Sequence, residues 1–226
     1  IPDCSGRWFI GGNFTHVGGL SRNNIAHINS DFSVSSWNPS ANGIVRTLAI
    51  LNNTIYVGGD FNYIGGSTRL RVAALDISTG NPTAWNPQAN ATVYTIEVSN
   101  STVYVSGTFS NIGGQSREYL AALDPVTGAA TNWNPNANSI VWTIKVSTNI
   151  IYVGGTFNNI GGQVRNHLAA LDVNTGNATT WNPNADATVY ALALSGNTVY
   201  AAGMFNTISA LTRNHLAAID ASTGSV

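Results

Sequence analysis

Short runs in which apolar and polar side chains alternate recur along the whole chain, separated by segments rich in Gly, Asn, Ser and Thr. The stretch TVYTIEV at Thr92–Val98 shows the pattern. In an extended chain Tyr94, Ile96 and Val98 fall on one side, and Val93, Thr95 and Glu97 on the other. TVYVSGTF, YLAALD and ATNWNP follow it, with the turn-forming segments SNST, SNIGGQSRE and PVTG between them. A two-residue period broken by such turns predicts β-strands, and Gly, Asn and β-branched residues recur too often for any helix. The four runs are labelled A to D in chain order.

The same set of four returns on a fixed beat. Trp37, Trp85, Trp133 and Trp181 open the segments WNPSAN, WNPQAN, WNPNAN and WNPNAD at intervals of 48 residues. Phe14, Phe61, Phe109, Phe157 and Phe205 keep the same phase, as do Arg22, Arg69, Arg117, Arg165 and Arg213. In both series the first interval is 47 and the rest are 48. The missing residue falls in the turn NSDFS, where later copies read DISTG, DPVTG and DVNTG. Tandem copies of this length are the mark of a repeat array or a propeller. The prediction is an all-β fold, a β-propeller of five four-stranded antiparallel blades. Residues 1–226 then form a single domain with repeats 1–42, 43–90, 91–138, 139–186 and 187–226. Copy one starts at strand B and copy five stops before its tryptophan, so about 18 of 20 strands are expected, and the domain is expected to be part of a longer protein. In an up-and-down meander the D-to-A linkers and the B-to-C loops emerge on one side. The WNPxAN and FxxIGGxxR segments therefore belong side by side.

Residues fixed in every copy have first a packing explanation. The tryptophan buries a large apolar area, and the Asn-Pro after it ends the outer strand and turns the chain toward the next blade. The repeated arginines are expected to support the packing between blades, and Asp76, Asp124, Asp172 and Asp220 to cap the turn between C and D. The paired glycines suit positive φ or a close backbone approach. Positions that vary inside this frame are the better candidates for binding. Strand A carries Arg46, Tyr94, Trp142 and Tyr190 in one register. The B-to-C loop carries His16, Tyr63, Asn111, Asn159 and Thr207 in a second, and Asn24, Arg71, Tyr119, His167 and His215 in a third. The candidate ligand-binding residues are Arg46, Tyr63, Arg71, Tyr94, Tyr119, Trp142 and Tyr190, since aromatic and Arg side chains around a shallow depression suit protein or carbohydrate contacts.

Composition narrows the partners. Charged residues are 8% of the chain, the net charge is −1 and Lys145 is the only lysine, so no basic stripe is available for nucleic acid. Apolar runs reach about six residues against the roughly 20 of a membrane helix, so direct membrane insertion is not expected. Low charge with abundant Asn and Thr is commoner in extracellular β proteins. One cysteine, Cys4, excludes an internal disulfide and reads as a free thiol. Sequons stand at Asn13, Asn52, Asn90, Asn100 and Asn177, and chance accounts for most of them in so Asn-rich a chain. Apart from His167 and His215, one repeat apart, the four histidines fall in different registers, so no metal cluster is expected, and no motif asks for a cofactor. No catalytic constellation stands out.

The pattern GGxFxxIGGxxRNxLAALDxxTGxxTxWNP, carried by essentially the whole chain, resembles the delta-60-type β-propeller repeats of secreted and cell-surface proteins, chiefly bacterial. Copy five departs from it, with ISALTR in place of IGGQSR. The resemblance implies an extracellular module without catalytic residues. The expected function is a non-enzymatic structural or protein-interaction domain at the cell surface or in a secreted protein. Its partners would be other domains of a longer protein or a surface assembly. The alternative is a lectin-like propeller in which Trp37, Trp85, Trp133 and Trp181 each offer a stacking platform to a glycan. A propeller hydrolase or lyase ranks below both.

Overall fold

A computed structural model describes residues 1–3, 5–99 and 101–226; Cys4 and the sequon at Asn100 lie outside the described residues. The described chain is all β, and no helix is long and apolar enough to cross a membrane. Each repeat makes one antiparallel sheet. In repeat three, strand A is Val93–Ser99, B is Thr102–Gly107 and C is Leu120–Leu123, hydrogen-bonded in the order A-B-C. Repeats two, four and five have the same three strands, starting at Val45, Val141 and Val189; repeat one shows B (Trp8–Gly11) paired with C (Ile25–Ile28). The fourth run is present but short. D pairs with C through single bridges, Ile28 to Val34, Leu75 to Pro82, Leu123 to Ala130 and Leu171 to Ala178. Each is flanked by hydrogen bonds such as Thr83 N–H to Ala74 and Asp76 N–H to Asn81. The Asn-Pro a few residues on turns the chain away before a longer ladder can form.

Alternation along strand A is broken once, at the same place in every copy. Val93 pairs with Gly107 and Thr95 with Ser106, leaving Tyr94 as the extra residue of a β-bulge. Arg46, Trp142 and Tyr190 occupy the same place in the other blades. The expected grouping of Tyr94 with Ile96 is thereby corrected. The inserted residue shifts the register by one, so Val93 and Ile96 point together into the core, 0% and 3% exposed.

The core lies between blades. One cluster joins Tyr56, Val72 and Ala74 of blade 2 to Val93, Ile96, Val103 and Phe109 of blade 3, and equivalent clusters join the other neighbouring pairs. Phe61, Phe109, Phe157 and Phe205 are fully buried, while Phe14, in blade 1, is half-buried. Hydroxyls also tie neighbouring A strands: Ile96 N–H donates to Thr47 Oγ1 at 3.0 Å, and Thr95 Oγ1–H donates to the Trp142 carbonyl at 3.0 Å.

Candidate functional site

The invariant residues are occupied with construction. Trp37, Trp85, Trp133 and Trp181 are 6%, 3%, 5% and 4% exposed, so none can serve as a sugar platform. The indoles of Trp85, Trp133 and Trp181 donate to the carbonyls of Asp124, Asp172 and Asp220 in the next blade, at 2.9, 3.1 and 2.9 Å. The last residue of each WNPxAN or WNPNAD segment holds the neighbouring B-to-C loop. Asn42 Oδ1 accepts from the N–H groups of Asn62 and Tyr63, and Asn90, Asn138 and Asp186 repeat the contact. Linker and loop thus sit together on one side of the disk.

The arginines work within a blade, which corrects the expected inter-blade role. Arg69 donates to the carbonyls of Thr68 and Thr83, and Arg22, Arg117 and Arg165 do the same in their own repeats. The guanidinium spans from the B-to-C loop to the D strand of one repeat, whose carbonyls the short D–C pairing leaves bare.

The aspartates cap their turns as expected. Asp76 Oδ1 accepts from the N–H groups of Ser78 and Thr79 and from the Thr79 hydroxyl, and Asp124, Asp172 and Asp220 match it. These bonds favour the ionised carboxylate. In Asp220 the Ser222 hydroxyl leads, and the group falls from 3.8 to about 2; Asp76, Asp124 and Asp172 are also lowered. A lowered folded-state value means the turns stabilise the fold above pH 3.8 and lose that contribution as pH falls toward about 2. Thermal melts between neutral pH and pH 2 will show this loss, and Asp→Asn at all four positions will flatten the decline. An unchanged slope in that variant would remove the turns from the acid response.

The bulged residues are different: they meet one another instead of the frame. The Tyr94 ring lies 4.4 Å from Trp142, Trp142 lies 5.8 Å from Tyr190, and the Arg46 guanidinium sits 5.4 Å from the centre of Tyr94. A continuous row from blade 2 to blade 5 results, on the side of the linkers. Arg46 is fixed by Asp60 at 2.7 Å, Thr92 donates to the same carboxylate, and the Tyr190 hydroxyl reaches Met204 Sδ at 3.3 Å. Burial alone would raise the Asp60 carboxyl, but Arg46, Thr92 and the charge of Arg71 together bring it below its ordinary value. Tyr190 is 46% exposed, and the buried Trp142 indole N–H has no acceptor among the described residues.

Four of the seven sequence candidates are therefore brought into contact, and Arg71 borders them through Asp60. Tyr63 stands apart on a small hairpin, in a groove of about 350 Å³ beside Ser40, Asn42 and Gly66. Tyr119 packs against the core between blades 3 and 4. Arg71 and Tyr119 both have φ of 63°, which the backbone imposes there whatever the side chain.

Below the row, an axial cavity of about 880 Å³ runs between the A strands, lined in part by Thr47, Thr95, Thr143 and the Glu97–Lys145 ion pair. In blade 1, Ser35 Oγ lies 3.1 Å from His27 Nδ1, and His27 Nε2 lies 3.3 Å from Asp3. Ser35 holds the place of Thr83, Thr131 and Thr179, and like them it accepts the N–H of its tryptophan. His27 stacks on Phe9 at 4.2 Å. The trio is a clip for the N-terminal segment, one that sequence reading missed because its members come from different strands. Among the described residues, no group of three or more His, Cys, Asp or Glu stands close enough to hold a metal ion.

Comparison with known proteins places the fold. The family described as "Outer membrane protein assembly factor BamB" matches residues 36–226, and the one described as "Domain of unknown function (DUF5122) beta-propeller" matches residues 5–34. No curated protein matches. Among solved structures, the computationally designed Ika4 protein is 14% identical with a TM-score of 0.55, covering 79% of this chain and 92% of its own. BamB from Moraxella catarrhalis is 17% identical with a TM-score of 0.53, over 96% of this chain. The chain spans 55% of the length of that BamB. Likeness at such identities establishes a β-propeller.

Proposed function

This chain belongs to the BamB-type propeller family, and we propose that it is a non-enzymatic module that holds a protein partner within a cell-surface or envelope assembly. Within that family its repeat is of the delta-60 type, and the five repeats act as one unit of a surface or secreted protein. The carrying observation is the row Arg46–Tyr94–Trp142–Tyr190. A bulge re-aims a side chain out of the pleat, and using the same bulge in four blades collects four variable side chains into one patch. Trp, Tyr and Arg are the types that dominate interface energetics, and the rigid strands beneath them keep the ordering cost of binding low. A carbohydrate reading keeps only this shared row, as one site per molecule, since the repeated tryptophans are buried.

A photo-crosslinking residue at Tyr190 is expected to capture a discrete protein partner in the source cells. Trp142→Ala will weaken that partner's binding by on the order of 2 kcal/mol, about 30-fold, with little change in thermal stability. Equal capture from Val126, an 80% exposed position on a C–D turn, or undiminished binding by Trp142→Ala would sink the reading.

A further inference from the structure

Charged side chains are few in this chain, nine basic and ten acidic, and they are sorted by side. Each B-to-C loop brings one arginine to the side of the linkers: Arg22, Arg69, Arg117, Arg165 and Arg213. Arg46 and Arg71 stand there too, against three carboxylates, Asp60, Glu118 and Asp186. The C–D turns emerge on the opposite side, and each carries an aspartate: Asp31, Asp76, Asp124, Asp172 and Asp220. What is left cancels, since Arg7 lies 3.3 Å from Asp3 and Lys145 pairs with Glu97 in the axial cavity. A chain whose net charge is only −1 is therefore polarised, positive on the linker side and negative on the other. The polarity belongs to the repeat, one arginine and one aspartate at opposite ends of strand C, so it holds however many copies stand in the ring.

The positive charge is not neutralised internally. Among the described residues, Arg46 alone of those seven arginines is held by a carboxylate. The loop arginines donate to carbonyls, which are neutral, so each guanidinium is fixed in place and keeps its charge. A group already fixed loses little freedom when a partner meets it. One such charge per blade is too sparse to follow a nucleic-acid backbone, with its charge every ~1.7 Å, but it suits carboxylates scattered along a protein. We propose that the partner is acidic where it meets the linker side. It would present several Asp or Glu side chains to the loop arginines and an apolar one to Tyr94, Trp142 and Tyr190. This rests on the reading of that row as a protein contact and adds the sign of the partner's charge. The field also orients the approach, because the aspartate side repels what the arginine side attracts.

Fluorescence anisotropy with the full chain tests this. The probe is a labelled peptide of Glu and Ser around one central Phe, and the comparison is the same peptide with Gln for every Glu. The Glu peptide is expected to bind roughly tenfold tighter or more. It will lose that advantage between about 0.01 M and about 1 M salt, as the screening length falls from about 30 to about 3 Å. Two double variants of equal net charge separate the sides. Gln115→Glu with Gln163→Glu, at exposed positions of the B-to-C loops, will weaken binding of the Glu peptide. Val126→Glu with Asn174→Glu, exposed on C–D turns, will leave it unchanged. Arg71→Asn, which installs the residue blade 1 carries at that place as Asn24, serves if the first pair lowers the melt. Equal affinity for the two peptides, binding indifferent to salt, or equal effects of the two double variants would each overturn the proposal, as would pelleting with anionic phospholipid vesicles without peptide binding. Capture from Tyr190 that persists at high salt would keep the protein partner and remove its acidity. Absence of capture with the Glu peptide still bound would remove the partner in the source cells and keep the preference for acidic segments.

Discussion

Trp133→Ala will lower the free energy of unfolding by about 3–5 kcal/mol and the melting temperature by about 6–20 °C. Trp133 is 5% exposed, packs edge-on against Tyr104 at 5.4 Å between ring centroids, and belongs to the core between blades 3 and 4. Its removal therefore opens a cavity where two sheets meet, and neither sheet can collapse into it without moving its own inner strand. The indole also donates to the Asp172 carbonyl, which accepts the Gly176 N–H as well, so Trp133→Phe keeps most of the apolar area and loses one hydrogen bond, at about 0.5–1.5 kcal/mol. Trp37 supplies the control. It is buried like the others, but its indole N–H has no acceptor among the described residues, so Trp37→Phe will cost less than Trp133→Phe. Denaturant unfolding of the three variants gives all three values. A loss under about 1 kcal/mol for Trp133→Ala would take the motif out of the core altogether.

The repeat made the fold legible, because a fixed period fixes strands, turns and the side of the disk on which each loop emerges. Placement of WNPxAN beside the Gly-Gly loop followed from strand direction alone, and the hydrogen bonds from Asn62 and Tyr63 to Asn42 realise it. The bulge was hidden for a physical reason. Val, Tyr, Thr and Ile all suit a strand, so one inserted residue leaves no mark on propensity, and only the pairing partner across the sheet exposes the shift. The arginines were misplaced because a guanidinium reaches far enough to serve a neighbouring blade or its own, and the deciding fact, the bare D-strand carbonyl, belongs to the ladder. Of the candidate site, the register of Arg46, Tyr94, Trp142 and Tyr190 was readable as variation at one place in a constant frame. Their mutual contact was not readable, since it depends on how far apart the blades set four bulges.

The glycine before each buried phenylalanine gives the second large effect. Gly59, Gly107, Gly155 and Gly203 do not have positive φ; what they lack room for is a side chain. A Cβ on Gly107 would stand 2.0 Å from the Thr92 carbonyl oxygen, and its counterparts would stand 2.0 to 2.2 Å from Ile44, Ile140 and Thr188. That carbonyl accepts the N–H of Thr108 at 3.0 Å, so it cannot retreat without giving up the bond that seats the linker on strand B. Gly107→Ala will therefore cost about 3 kcal/mol or more. Gly114 is the contrasting case, with φ of +77° and nothing within 4 Å of an added Cβ, so Gly114→Ala carries only the backbone term of about 1–2 kcal/mol. Equal losses from the two substitutions in denaturant unfolding would refute the close-approach explanation. The pair also separates stability from recognition. Thr92 stands two residues before Tyr94, so a displaced linker shifts the bulge, and Gly107→Ala will diminish crosslinking at Tyr190 even in the fraction that stays folded. Gly114→Ala changes a loop remote from the bulge and will leave that capture at the wild-type level.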